Sequence, residues 1–262
     1  MDELLAPGEG AAVEVRETRG PFVVVCEHAS NRVPQALRTL GLSSADLERH
    51  IAWDPGAAEL SAGLATRLPG ALVTQRFSRL VVDCNRDPAD ADAIVTFSED
   101  TRVSGNLGLS PEARQRRVAG LWAPFHAALD HLLDRRRAAH QPTALVTVHS
   151  FTPVYRGVSR PWHVGIISTA ERSLAEGVLA ALRRDKGLIV GDNQPYSSKD
   201  RVDYTIRRHG RDRGLPHVMI EVRNDLLRAV KDITAWAERL TEALKESAGA
   251  AGIGQAGARV GT

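Results

Sequence analysis

Four short apolar runs in this 262-residue chain each end in residues that can do chemistry. Val23-Val24-Val25-Cys26 stops at Glu27-His28, and Leu80-Val81-Val82 stops at Asp83-Cys84-Asn85-Arg86. Leu145-Val146-Thr147-Val148 stops at His149-Ser150, and Val218-Met219-Ile220 at Glu221-Val222-Arg223. Continuous β-branched runs of this length predict strands buried on both faces, as in a parallel sheet covered by helices. Such sheets bind ligands at the carboxyl ends of their strands. Residues scattered along the chain are therefore expected to meet in one crevice. The predicted fold is α/β, a three-layer α/β/α sandwich with a mostly parallel, mixed central sheet.

The elements between these runs alternate. A helix opens at Ser43 or Ser44, where Ser43-x-x-Asp46 approximates a capping box. Another spans about Gly56 to Arg67 and stops at Pro69-Gly70. Strands are predicted over Ala71–Thr74 and Arg79–Cys84. The unpatterned acidic stretch 87–108 is expected to be a long loop near the strand ends, where function concentrates. Ser110-Pro111-Glu112 announces a helix by its cap, its proline and its early acid. Apolar positions at helical spacing carry it, as one helix or two joined helices, to about Ala139. Strands near Ala144–Val148, His163–Ile167, Leu188–Val190 and His217–Val222 follow, with helices near Glu171–Arg184 and Asp225–Lys245. One catalytic domain over 20–247 is expected, with a lead-in at 1–19 and a flexible tail at 248–262.

Hydrophobic residues make up 43% of the chain and charged ones 25%, with a formal net charge of +2. Those values fit a globular domain and argue against disorder. The basic clusters Arg135-Arg136-Arg137 and Arg207-Arg208 are interleaved with Asp134 and Asp212, so surface or substrate-anion contacts are expected and nucleic acid is not. No segment approaches the ~18 apolar residues of a membrane span, and the N-terminus lacks the pattern of a secretory signal. Cys26 and Cys84, both at strand ends, suit buried free thiols in a reducing compartment. A cytoplasmic protein with a small anionic substrate is the expectation; the oligomeric state is not legible.

A catalytic zinc takes about three protein ligands from His, Asp or Glu and leaves a position open. His28 and His149, each directly after a buried run, are the first two. Asp54, in Trp53-Asp54-Pro55-Gly56 ahead of a helix, and Glu27 compete for the third place, with a helix cap as the other role for Asp54. Glu27 adjoins His28 on extended backbone, so the two side chains should point to opposite faces, which favours Asp54. Glu221 lies inside an apolar strand, where a carboxylate is costly unless paired or used. Near a metal it would serve as general base; an ion pair with Arg223 is the alternative. Arg79, Asn85 and Arg86 offer groups matched to a carboxylate, although local pairing with Asp83 or Asp87 competes. Arg223 and Ser150 complete the set of substrate-binding residues. No Gly-x-Ser-x-Gly elbow supports Ser150 as a nucleophile. His126, amid apolar helix positions, suits the edge of the core or a supporting role behind a site.

Taken in order, Val23 to Pro34 with Cys26-Glu27-His28-Ala29-Ser30, Trp53-Asp54, Arg79 to Arg86, Pro124-Phe125-His126, Val148-His149-Ser150-Phe151 and Ile220-Glu221 resemble the N-formylglutamate amidohydrolase family over roughly 20–245. That family is similar in fold to zinc carboxypeptidases and to the aspartoacylase and succinylglutamate desuccinylase group. The resemblance implies that His28, Asp54 and His149 hold zinc and that Glu221 activates water. It further implies that Arg79, Asn85 and Arg86 hold the substrate carboxylate and polarise its carbonyl. In the carboxypeptidase relatives a metal-binding Glu follows the first His by three positions; Asn31 stands there here, which moves the third ligand elsewhere. Members associated with formylglutamate hydrolysis itself read Pro-His-Ser-Gly and Asp-x-His-Ser where this chain has Glu27-His28-Ala29-Ser30 and Thr147-Val148-His149-Ser150, so the resemblance implies the zinc chemistry but not the acyl group or the amino-acid specificity. The activity implied is metal-dependent hydrolysis of the amide bond of an N-acyl, in the first instance N-formyl, acidic amino acid. The alternatives are another zinc N-acyl-amino-acid deacylase, a carboxypeptidase-like peptidase, or a non-catalytic binder of acidic metabolites.

Overall fold

The wholly buried runs Phe22–Cys26 and Ala144–Phe151 lie side by side in the middle of a seven-stranded sheet. A computed structural model describes residues 3–197 and 203–253. Its strands are β1 (Val13–Glu17), β2 (Phe22–Cys26), β3 (Gly70–Gln75), β4 (Phe97–Ser98), β5 (Thr101–Arg102), β6 (Ala144–Phe151), β7 (Val154–Tyr155), β8 (Val158–Ser159), β9 (Val164–Ile167), β10 (Val190–Asp192) and β11 (His217–Arg223). The helices are α1 (Ser44–Leu47), α2 (Ala57–Arg67), α3 (Pro111–Arg117), α4 (Ala123–Ala138), α5 (Ser173–Leu182) and α6 (Val230–Ala250).

The sheet order is β1-β3-β2-β6-β11-β9-β10. Pairs β3/β2, β2/β6, β6/β11 and β9/β10 are parallel, whereas β1/β3 and β11/β9 are antiparallel. This is the expected mostly parallel, mixed sheet. Side chains alternate between faces along a strand, and each face has its own core. Val24, Val146, Val148 and Ile220 pack with α2, α5 and α6, while Val23, Val25, Val73 and Leu145 pack with α4 and the 77–103 segment. His149 shares the parity of Leu145, so it projects to the α4 side. Glu221 stands beside it in the β11/β6 register.

Three expectations need correction. Arg79–Cys84 is not a strand, although Leu80 to Cys84 are buried. The side of β3 away from β2 is taken by β1, so the apolar run turns instead. Its carbonyls are met by side chains, Asn106 Nδ2 donating to Leu80 O and Arg117 Nη1 to Val81 O. A run of Leu and Val carries no sign that Asn and Arg will serve its backbone. Within the expected lead-in at 1–19, Val13–Glu17 forms β1, an edge strand whose exposed charged residues mask its pairing. The tail expected from 248 begins as the last turn of α6, and 254–262 lie outside the described residues.

The long helix forms with a defect of known cause. Pro124 has no N–H to offer the carbonyl four residues back, and Val118–Trp122 widens into a π turn before α4 resumes. The 87–108 stretch is a loop carrying the short β4/β5 hairpin, and β7/β8 forms a second hairpin directly after β6. Cys26 and Cys84 are free and buried. Among the described residues no helix is long and apolar enough to cross a membrane.

Candidate active site

Residues from three segments converge above the ends of β2 and β6. His28 follows β2, and its carbonyl accepts from Asp54 N–H at 3.0 Å, which ties the Trp53-Asp54-Pro55 loop to the strand end. Gly56 then starts α2 with φ +81°; an added Cβ would stand 2.5 Å from Leu227 Cβ, so glycine is required where the loop turns. Asp54 is therefore fixed between the two strands, with Ser150 N–H 3.3 Å from its Oδ2.

Three donor atoms face one point. His28 Nδ1 and His149 Nδ1 are 3.2 Å apart, and Asp54 Oδ2 is 3.2 Å from the first and 2.9 Å from the second. All three residues are buried. The remote nitrogens meet carboxylates: His28 Nε2 is 2.7 Å from Asp83 Oδ1, and His149 Nε2 is 3.1 Å from Glu27 Oε2. His28 Nε2 is hydrogen-bonded to Asp83, whereas His149 Nε2 is close to Glu27 without hydrogen-bond geometry; an imidazole whose proton sits on Nε2 leaves Nδ1 as a lone pair. Two lone pairs and a carboxylate oxygen aimed at each other repel unless a proton or a cation lies between them. His28, Asp54 and His149 thus fit a metal ion by donor chemistry, mutual distance and supporting carboxylates alike. Glu27, the other candidate for third ligand, lies behind His149 rather than beside its Nδ1.

The charges around this cluster are strongly biased. Burial pulls the His149 pKa down, but Glu27 and Asp54 more than reverse it; for His28, burial and Arg79 are overcome by Asp83 and Asp54. Asp83 is driven far the other way, its burial outweighed by Arg79 and His28. Arg79 spans the carboxylates, Nη1 at 3.4 Å from Asp54 Oδ1 and Nη2 at 2.8 Å from Asp83 Oδ2. Its own pKa is raised by these partners against burial, so it stays cationic.

Glu221 is buried next to His149, and its Oε2 has no hydrogen-bond partner among the described residues. Burial, with the Asp54 charge adding, pushes its pKa up to about 7. An unpartnered carboxyl poised near neutrality beside three converging donors has the properties of a general base.

These groups line a pocket of about 280 Å³. Asn85 and Arg86 line it too, but both are engaged: Asn85 Oδ1 accepts from Thr205 N–H at 3.0 Å, and Arg86 Nη1 is 2.8 Å from Asp92. Ser150 lines it with its hydroxyl donated to Pro55 O at 2.9 Å. Arg223 is the exception. It does not line the pocket; Asp225 two residues on takes its Nε at 2.8 Å, and neither Glu221 nor the cavity receives its guanidinium. The strand pattern places Arg223 at the right end but cannot show the acid that captures it.

Several lining residues carried no sequence signal. His50 donates from Nε2 to Ser150 O at 2.5 Å and lies 3.5 Å from Asp54 Oδ1; only its position four residues before Asp54 hints at it. Tyr196 and the hairpin residues Phe97, Tyr155 and Arg156 sit in irregular stretches that no periodicity marks. Away from the pocket cluster, His126 is buried as expected for the core edge: Nε2 donates to Cys84 O at 2.9 Å and Nδ1 is 2.8 Å from His209 Nε2.

Comparison with known proteins gives the chain a family and a fold. A family profile described as N-formylglutamate amidohydrolase matches residues 20–228. The crystal structure of a gene product from Agrobacterium tumefaciens is 39% identical with a TM-score of 0.93, covering 95% of this chain and 100% of its own. An N-formylglutamate amidohydrolase from Ralstonia eutropha shares the fold at 19% identity and a TM-score of 0.68, covering 90% of this chain and 97% of its own. No curated protein matches the sequence.

Proposed function

The chain belongs to the N-formylglutamate amidohydrolase family, and from that premise we propose that it is a zinc-dependent hydrolase of the amide bond of N-acyl, above all N-formyl, acidic amino acids. The observation that carries this is the convergence of His28 Nδ1, Asp54 Oδ2 and His149 Nδ1 beside the unpartnered carboxyl of Glu221. His28, Asp54 and His149 would hold the ion; when bound, it supplies Lewis-acid chemistry that acidifies water and polarises an amide carbonyl.

The remaining steps belong to the protein. Glu221 takes the proton of the attacking water and returns it to the departing amine, the two-way duty suited to a group with a pKa near neutrality. Arg79, locked against Asp54 and Asp83, keeps positive charge at the pocket floor, where the carbonyl oxygen gains negative charge. Asp83 holds the His28 imidazole in the tautomer that presents Nδ1, and the Glu27 carboxylate lies beside His149 Nε2. His50, hydrogen-bonded to the Ser150 carbonyl, fixes the backbone that donates to Asp54. The two free buried thiols suit a reducing compartment, and we place the enzyme in the cytoplasm on that ground.

The test is turnover of a panel of N-formyl, N-acetyl and N-succinyl amino acids before and after chelation. Hydrolysis of N-formylglutamate that disappears with chelator and returns with added zinc is expected. Undiminished hydrolysis in metal-free protein would remove the metal from the mechanism.

A further inference from the structure

The pocket lining is not a cationic surface. Among the described residues it carries five carboxylates, Asp54, Asp83, Asp92, Glu99 and Glu221, against three guanidinium groups, Arg79, Arg86 and Arg156. The carboxylates and guanidinium groups of the lining therefore do not by themselves favour a substrate with two carboxylates. Selection for it must come from an individual cation that is free to pair. Arg79 is held by Asp54 and Asp83, and Arg86 by Asp92. Arg156 has no acidic partner among the described residues; its guanidinium lies 5.4 Å from the centre of the neighbouring Tyr155 ring.

The backbone at Arg156 makes the same point independently. β7 and β8 are joined by the two-residue turn Arg156-Gly157, with φ +48° and +79°. Two positive φ values define a type I′ turn, for which Asn-Gly is the favoured pair. A long side chain in the first position is less favourable there than a residue that tolerates the left-handed region. Within the hairpin its guanidinium meets the neighbouring Tyr155 ring, and the turn itself is exposed. An unfavourable backbone choice at the rim of a pocket points to a use for the side chain.

We propose that Arg156 is the specificity-determining residue of this site, pairing with the side-chain carboxylate of the acyl amino acid. The inference rests on the amidohydrolase reading for the identity of the substrate. It adds the residue that selects an acidic side chain. The buried His28, Asp54, His149 and Glu221 take the scissile amide at the floor, and exposed Arg156 meets the far end of the molecule at the mouth. Arg is the side chain matched to a carboxylate in two parallel hydrogen bonds.

The experiment compares wild type with Arg156→Asn, the residue the turn itself prefers, so the variant should melt no lower than wild type. kcat/KM is measured for N-formylglutamate and N-formylglutamine, and binding of glutarate, a plain dicarboxylate, by calorimetry. The preference for glutamate over glutamine should fall about 10- to 100-fold in the variant, through KM, which is the scale of one charge-assisted pair. Glutarate affinity should fall at least 10-fold. A variant that keeps the wild-type preference overturns the assignment and leaves the hydrolase reading intact. If wild type hydrolyses neither compound yet loses glutarate affinity on substitution, the assignment holds and the hydrolase reading fails. Equal glutarate affinity in both proteins counts against Arg156 directly.

Discussion

Among the described residues two pairs of buried histidines touch, and one of them has the makings of a metal site. His28 and His149 point Nδ1 at each other and at Asp54, and each presents Nε2 to a carboxylate. His126 and His209 stack at 9° with ring centres 5.1 Å apart, bonded through one nitrogen of each. The outer partner of His126 is the Cys84 carbonyl, and Asp130 stands no nearer than 3.5 Å from His209. The electrostatic outcome is opposite. Carboxylates lift the first pair above the ordinary imidazole range, whereas burial lowers His126 to about 3 and His209 to about 4. Two histidines in contact are thus not a signature in themselves. The surrounding anions decide whether two imidazoles offer lone pairs to a cation or merely complete a core.

Exchanging ligands should break the comparison most sharply. Replacing His149 with Asn is expected to abolish metal-dependent hydrolysis, a loss of at least about 10³-fold, since one of three donors is gone. His126→Gln should leave metal-dependent hydrolysis in place and lower only the melting temperature; loss of that hydrolysis in the His126 variant would erase the distinction. Next in size is Glu221→Gln, expected to lower kcat about 10²- to 10⁴-fold while the metal stays bound, as measured by steady-state kinetics beside elemental analysis. Asp83→Asn tests the carboxylate behind His28 and should weaken metal affinity about 10- to 100-fold in a competition titration. The smallest effect concerns the other pair. With folded pKa values below the unfolded ~6.5, His126 and His209 contribute stability that is complete above pH 6.5. It is lost as pH falls toward 4, because the unfolded chain binds protons that the folded pair refuses. The slope should be at most roughly 1.4 kcal/mol per pH unit for each group, seen by denaturant titration. Replacing both with Gln should flatten it.

The strand ends were readable from sequence because parallel strands buried on both faces leave an uninterrupted apolar run, and the residue after it has one place to go. That logic placed His28, His149 and Glu221 together, as they stand in the pocket, and strand alternation ranked Asp54 above Glu27. It misled where a run is buried without pairing. Leu80-Val81-Val82 is as apolar as β2, yet Asn106 and Arg117 complete its hydrogen bonds from far along the chain. It also failed for Arg223, whose partner Asp225 lies past the strand in irregular backbone. Charge and residue type locate a side chain at an end of the sheet; they do not say which acid it finds there. His50, Tyr196 and Arg156 come from loops and a hairpin whose paths depend on packing between distant segments, so no local pattern announced them.

Metal content of the purified protein, measured beside that of the His28→Asn/His149→Asn double variant, tests the central claim most directly. One ion per chain is expected in the wild type and none in the variant, with both chains folded by circular dichroism. An ion retained at full stoichiometry by the double variant, or a wild type that takes up no zinc on titration, would contradict the account.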